Sequence, residues 1–212
     1  AYYQAFGADH SQLERVKDEL ANMTRGWDKT EVESLVEETV DEVVAPLVYA
    51  EALAIIDDHR RAGLKVVVIS ASPEEIVRPL CRYLGIEEVI ATRSEIDDEG
   101  RYTGEIELYA YGPEKAEAMV EMAEAADIDL AESFAYSDSI TDLPMLEAVG
   151  HPIVVNPDSD LAEEAEERGW EVKHFESAVT LRDRIPAKAM GGAVVTGVAA
   201  VLAYWALKGR KD

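Results

Sequence analysis

A chain of 212 residues that is 48% hydrophobic and 30% charged can bury a core and is too apolar to stay disordered. Its formal net charge of −24 leaves no positive footprint for a nucleic acid. The single cysteine, Cys81, excludes an internal disulfide, and the four histidines (His10, His59, His151, His174) have no metal-ligand spacing, which argues against zinc.

Residues 1–45 read as helices. Leu13, Val16 and Leu20 recur on one face, and Asp28 or Thr30 can cap a second helix carrying Val32, Leu35, Val36, Val40 and Val43. Pro46 ends this pattern, and no strand is expected before Tyr49. The chain begins with Ala1 and shows no basic n-region, apolar run and cleavage site, so no secretory signal is read and a cytoplasmic location is expected.

Helix and strand alternate from Tyr49 onward. A helix through Leu53 and Ile56 runs to Gly63, and the apolar strand Lys65–Ile69 reaches Ser70. Pro73 opens a helix that Gly85 stops. Val89–Ala91 is a short strand, and residues 94–109 form a hairpin turning at Asp98-Glu99-Gly100. Gly112-Pro113 opens a helix with Lys115 in its first turn. Strands Phe134–Ser137, His151–Val155 and Glu171–Phe175 follow, with a helix over 159–168 between the last two. Buried apolar strands alternating with helices predict an α/β fold, a Rossmann-like doubly wound parallel sheet with sites beyond the carboxyl ends of its strands.

The tail differs from the rest. Ala189–Leu207 is about nineteen residues without a charge, bounded by basic residues on both sides. It is long enough to reach across a hydrocarbon core of about 30 Å. Two readings stay open for it, a membrane-associated helix and a helix docked on protein.

Four polar positions fall at element ends. Ser70 terminates a strand, and the N–H groups of Ala71 and Ser72 precede a helix, a ready anion site. Lys115 brings an ammonium group. Asp138 follows the strand Phe134–Ser137, and Asp142 comes four residues later. Two carboxylates at one strand tip repel unless a cation lies beside them, and hard oxygen donors of this kind suit Mg2+. Asp142 can also be read as only the N-cap of the helix at Leu143.

With these residues the chain resembles the haloacid-dehalogenase superfamily, in the branch of the phosphoserine phosphatases. Val66–Ser70 matches the second family motif, Lys115 the third, and Ser137-Asp138-Ser139-Ile140-Thr141-Asp142 the fourth, with Ser137 where the branch often has glycine. The resemblance implies a hydrolase of small phosphomonoesters. Ser70 would then hydrogen-bond the phosphoryl group, and Lys115 would neutralise its charge. Asp138 would ligate Mg2+, and Asp142 would hold a metal-bound water or Lys115. It also implies a partial helical cap over residues 1–46 and an α/β core over 47–178, and the uncharged stretch adds an apolar terminal helix over 187–212. One motif is absent. The family's nucleophile stands in Asp-x-Asp on a first, central strand, and no such segment is present, so an amino-terminal truncation and an inactive fragment are expected. The alternative is a non-catalytic, membrane-tethered phosphate-binding module. A receiver-type phosphorelay domain fits poorly, because Lys115 precedes Asp138 and lies on a helix.

Overall fold

The structure, a computed structural model, describes residues 21–43 and 48–179. The apolar segment 189–207 lies outside them. Among the described residues no helix is long and apolar enough to cross a membrane.

Helix α1 (Lys29–Val43) opens on Asp28, whose Oδ1 accepts the N–H groups of Thr30 (2.9 Å) and Glu31 (3.1 Å). Asp28 therefore provides the cap that the sequence left open between two residues. A two-residue strand, β1 (Val48–Tyr49), pairs antiparallel with β8 (Ala178–Val179). No strand was expected as early as Val48. A ladder this short carries no periodicity and exists only because the later segment returns alongside it.

The first half of the core runs through α2 (Ala50–Arg61), β2 (Val67–Pro73), α3 (Glu74–Tyr83), β3 (Glu88–Ile96) and β4 (Tyr102–Leu108). β2 pairs parallel with β3, and β3 antiparallel with β4. The two short strands expected at 89–91 and 94–97 are one continuous strand. Its turn is held by Asp97, whose Oδ1 accepts the N–H groups of Glu99 and Arg101, while Gly100 takes a left-handed φ of 80°. The second half comprises α4 (Pro113–Ala125), β5 (Phe134–Ser137), a 3₁₀ turn at Ile140–Asp142, α5 (Leu143–Glu147), β6 (His151–Val155), α6 (Ser159–Arg168) and β7 (Glu171–Lys173). β5, β6 and β7 are parallel in that order.

The core strands thus form two three-stranded blocks, the mixed β4-β3-β2 and the parallel β5-β6-β7. β2 and β5 are each the outer strand of their block, and among the described residues neither pairs on its other edge. Side chains join the blocks where backbone does not. Ile69 of β2 packs against the core cluster of Leu146, Val154, Leu161 and Ala165, whose members are almost wholly shielded from water. Each large aliphatic side chain buried this way contributes about 1.5–3 kcal/mol. His59 Nε2 of α2 also lies 2.8 Å from the Tyr136 hydroxyl of β5.

Cys81 illustrates how the first block is packed. It lies on the inner face of α3 with Val77, Ile86 and Ala91, is 1% exposed, and burial pushes its thiol up to about 11 although Arg78 pulls the other way. A neutral buried thiol is unreactive. Ellman's reagent at pH 8 is expected to find no thiol in the native protein and one equivalent after guanidinium denaturation. Rapid native labelling would mean that α3 opens readily.

Candidate active site

The strand Phe134–Ser137 is followed by a tight 3₁₀ turn, and this brings residues 138 and 142 to the carboxyl end of β5. Asp142 is the N-cap residue of α5, but its side chain makes no capping bond. Its carboxylate turns inward instead. Lys115 Nζ donates to both oxygens, at 2.8 and 2.9 Å, and the Ser137 hydroxyl donates to Oδ2 at 2.7 Å. All three residues are buried, at 8% exposure or less. The geometry therefore places the Asp142 carboxylate on Lys115.

This pair is possible because each charge is satisfied. A lone carboxylate or ammonium in such a place costs several kcal/mol, and two oxygens meeting one ammonium and one hydroxyl offset that cost. Local structure supplies the aim. Gly112, at φ 58°, turns the chain into α4, Pro113 stands at the first helical position, and Lys115 follows in the first turn.

Asp138 behaves differently. It is exposed at the strand tip, and among the described residues its carboxylate joins no ion pair or hydrogen bond, while its backbone carbonyl accepts the Asp158 N–H at 2.8 Å. Asp158 was not singled out in the sequence. Its Oδ2 accepts the Ile140 N–H (2.9 Å) and its Oδ1 the Leu161 N–H at the start of α6 (2.8 Å). One residue thereby fixes the turn that presents Asp138. The available signal was Pro157-Asp158-Ser159 before an apolar helix, an N-cap pattern whose second role no spacing could reveal.

Ser70 ends the regular part of β2. Its Oγ accepts the Ser72 N–H at 3.2 Å, so its own O–H hydrogen can still be donated to a ligand. The same bond occupies one of the two N–H groups expected to face an anion, leaving that of Ala71 as the other donor. Helix α4, which carries Lys115, packs on both β2, whose end bears Ser70, and the Ile140–Asp142 turn that follows Asp138. No group of three or more His, Cys, Asp or Glu side chains placed to hold a metal occurs among the described residues. The donor chemistry nonetheless fits a hard cation at Asp138, since Mg2+ keeps several waters and takes only one or two carboxylates together with phosphate oxygens.

The segment before α1 pairs with the β3–β4 hairpin. Gly26 N donates to the Tyr102 carbonyl (2.8 Å), Tyr102 N to the Trp27 carbonyl (3.0 Å) and Lys29 N to the Gly100 carbonyl (3.0 Å). The Tyr102 hydroxyl donates to Glu75 Oε1 at 2.8 Å, in the first turn of α3, three residues past Ser72. Burial first, and Glu75 second, push the Tyr102 phenol well above its ordinary range, so it stays a donor at any physiological pH.

Fold and site together define a class. The haloacid dehalogenase-like hydrolase family model matches residues 2–147, and the chain belongs to that family. The chain is 50% identical over 197 residues to a Mycobacterium tuberculosis protein named a probable phosphatase, covering 93% of this chain and 68% of that protein. It is 33% identical over 182 residues to a phosphoserine phosphatase of the same organism, covering 84% of this chain and 58% of that one. A Bordetella pertussis protein of unknown function has the same fold, with a TM-score of 0.69 and 32% identity over 75% of this chain and 73% of its own.

Proposed function

We propose that this chain forms the larger part of an Mg2+-dependent phosphomonoester hydrolase whose attacking aspartate comes from a strand outside these 212 residues. The observation that carries the reading is the buried Lys115–Asp142–Ser137 group at the carboxyl end of β5, with β2 and β5 each unpaired on one edge among the described residues. A buried ammonium oriented by a carboxylate is suited to the charge of a phosphoryl group. The open edges would accept one further strand, and the phosphatase names of the relatives point the same way. Residues 1–46 would serve as a cap and 47–178 as the catalytic core.

In this reading the substrate phosphoryl group lies between Ser70, the Ala71 N–H and Lys115. The Ser70 hydroxyl and the Lys115 ammonium hold its oxygens in line with the incoming carboxylate. That carboxylate forms the new O–P bond as the ester P–O bond breaks and the leaving alkoxide takes a proton. Water then attacks phosphorus, releasing inorganic phosphate and restoring the carboxylate. When bound, Mg2+ would supply charge neutralisation at the phosphoryl oxygens, with Asp138 as its protein ligand and Asp142 acting on it only through Lys115 and water.

The test is a phosphomonoester screen of the chain joined to its natural upstream sequence, run with Mg2+ and with EDTA, beside the 212-residue chain alone. Hydrolysis by the longer chain only, and only with Mg2+, is expected. If the longer chain carries the paired aspartates and still cleaves no phosphomonoester, the reading fails.

A further inference from the structure

The ladder between β2 and β3 contains an irregularity at the point where the site begins. Ser70 pairs with Ala91, but the next pair along β3 is Thr92 with Pro73. Ala71 and Ser72 are therefore extra residues on β2, pushed out of the ladder. A bulge of this kind deprives a backbone carbonyl of its strand partner, and a carbonyl left without one costs about 1–3 kcal/mol where it is shielded from water. Here the partner is a side chain. The Thr92 hydroxyl donates to the Ala71 carbonyl at 2.7 Å. The same oxygen accepts the Ala110 N–H at 3.3 Å, and both Thr92 and Ala110 are buried.

One hydroxyl thus ties together two segments that the chain separates. On one side is the bulge that presents Ser70 and the Ala71 N–H. On the other is the stretch from Ala110 through Gly112 into the first turn of α4, where Lys115 stands. We propose that Thr92 is a positioning residue for phosphoryl binding: it sets the Ser70–Ser72 bulge and the approach to Lys115 at a fixed separation, without touching the substrate. The proposal rests on the hydrolase reading for the identity of the anion but on this structure alone for the link. Valine has nearly the shape of threonine and cannot bond to either group, so it removes the link and keeps the volume. Serine keeps the hydroxyl.

The experiment measures two things on the parent, T92V and T92S. The first is the dissociation constant for inorganic phosphate, by calorimetry on the 212-residue chain. The second is kcat and KM for a phosphomonoester, on the chain joined to its upstream sequence. T92V is expected to weaken phosphate affinity and raise KM by about tenfold, the scale of one hydrogen-bonded link. T92S is expected to stay within about twofold of the parent, since it restores both bonds. If T92V fails to fold, T92C replaces it, because its thiol is a weak donor of nearly the size of the serine side chain. The proposal is overturned if T92V, or T92C in its place, binds phosphate like the parent, if T92S is as impaired as T92V, or if the parent binds no phosphate at all. A parent that binds phosphate and loses it in T92V, yet hydrolyses nothing in its longer form, overturns the hydrolase reading and leaves this one standing.

Discussion

Replacing Lys115 by methionine is expected to destabilise the protein by about 3–5 kcal/mol, the cost of stranding one member of a buried ion pair. The Asp142 carboxylate is 7% exposed and would keep only the Ser137 hydroxyl as partner. Denaturant titration measures the loss. The double variant K115M/D142L removes both charges at similar volume and is expected to recover most of it, since an apolar pair need not be desolvated at such cost. Neither variant is expected to recover hydrolysis in the longer chain, where loss of the ammonium should lower kcat by about 10²–10³-fold. The two readouts separate the pair's effect on folding from its effect on chemistry. A K115M protein that unfolds at the parent's midpoint would show that the ammonium is solvated and the pair not a buried one.

Asp138→Asn should behave in the opposite way. Asp138 is exposed, its carboxylate is not part of the internal network, and the bond that fixes its turn runs from Asp158 N–H to its backbone carbonyl, which the substitution leaves in place. Stability should change by no more than about 0.5 kcal/mol. Divalent binding, measured with Mn2+ by electron paramagnetic resonance, should fall sharply, because an amide oxygen carries no charge to offset the cation. Hydrolysis by the longer chain should fall by about 10²-fold or more. Unchanged activity would remove Asp138 from any metal site.

The contrast between these two aspartates shows what kind of information each level held. By spacing alone Asp138 and Asp142 were two acids four residues apart after one strand, and only the family resemblance gave them different roles. In the structure one points to solvent and the other is locked to Lys115, 27 residues earlier in the chain. No local pattern records which of two carboxylates meets a distant ammonium, because that depends on how α4 docks against β2 and the 138–142 turn. Ser137 tells the same story. It read as a mild departure from the family motif, and it proves to donate to Asp142 at 2.7 Å.

Local chemistry was legible wherever one stretch of chain decides its own conformation. Asp28 caps α1, Gly85 follows α3 with φ 63°, and Gly112-Pro113 opens α4, each for reasons of dihedral preference and unsatisfied N–H groups that act within a few residues. The alternation of buried strands and helices likewise announced the α/β class, because periodicity reports which face is buried. Tertiary structure alone decided three other things: the separation of the sheet into two blocks with β2 and β5 outermost, the bulge at Ala71-Ser72 with Thr92 behind it, and the double duty of Asp158. The contacts of Thr92 with Ala71 and of Asp158 with Ile140 join residues at least eighteen positions apart, and pairings at that range are chosen by the packing of whole elements rather than by the residues that make them.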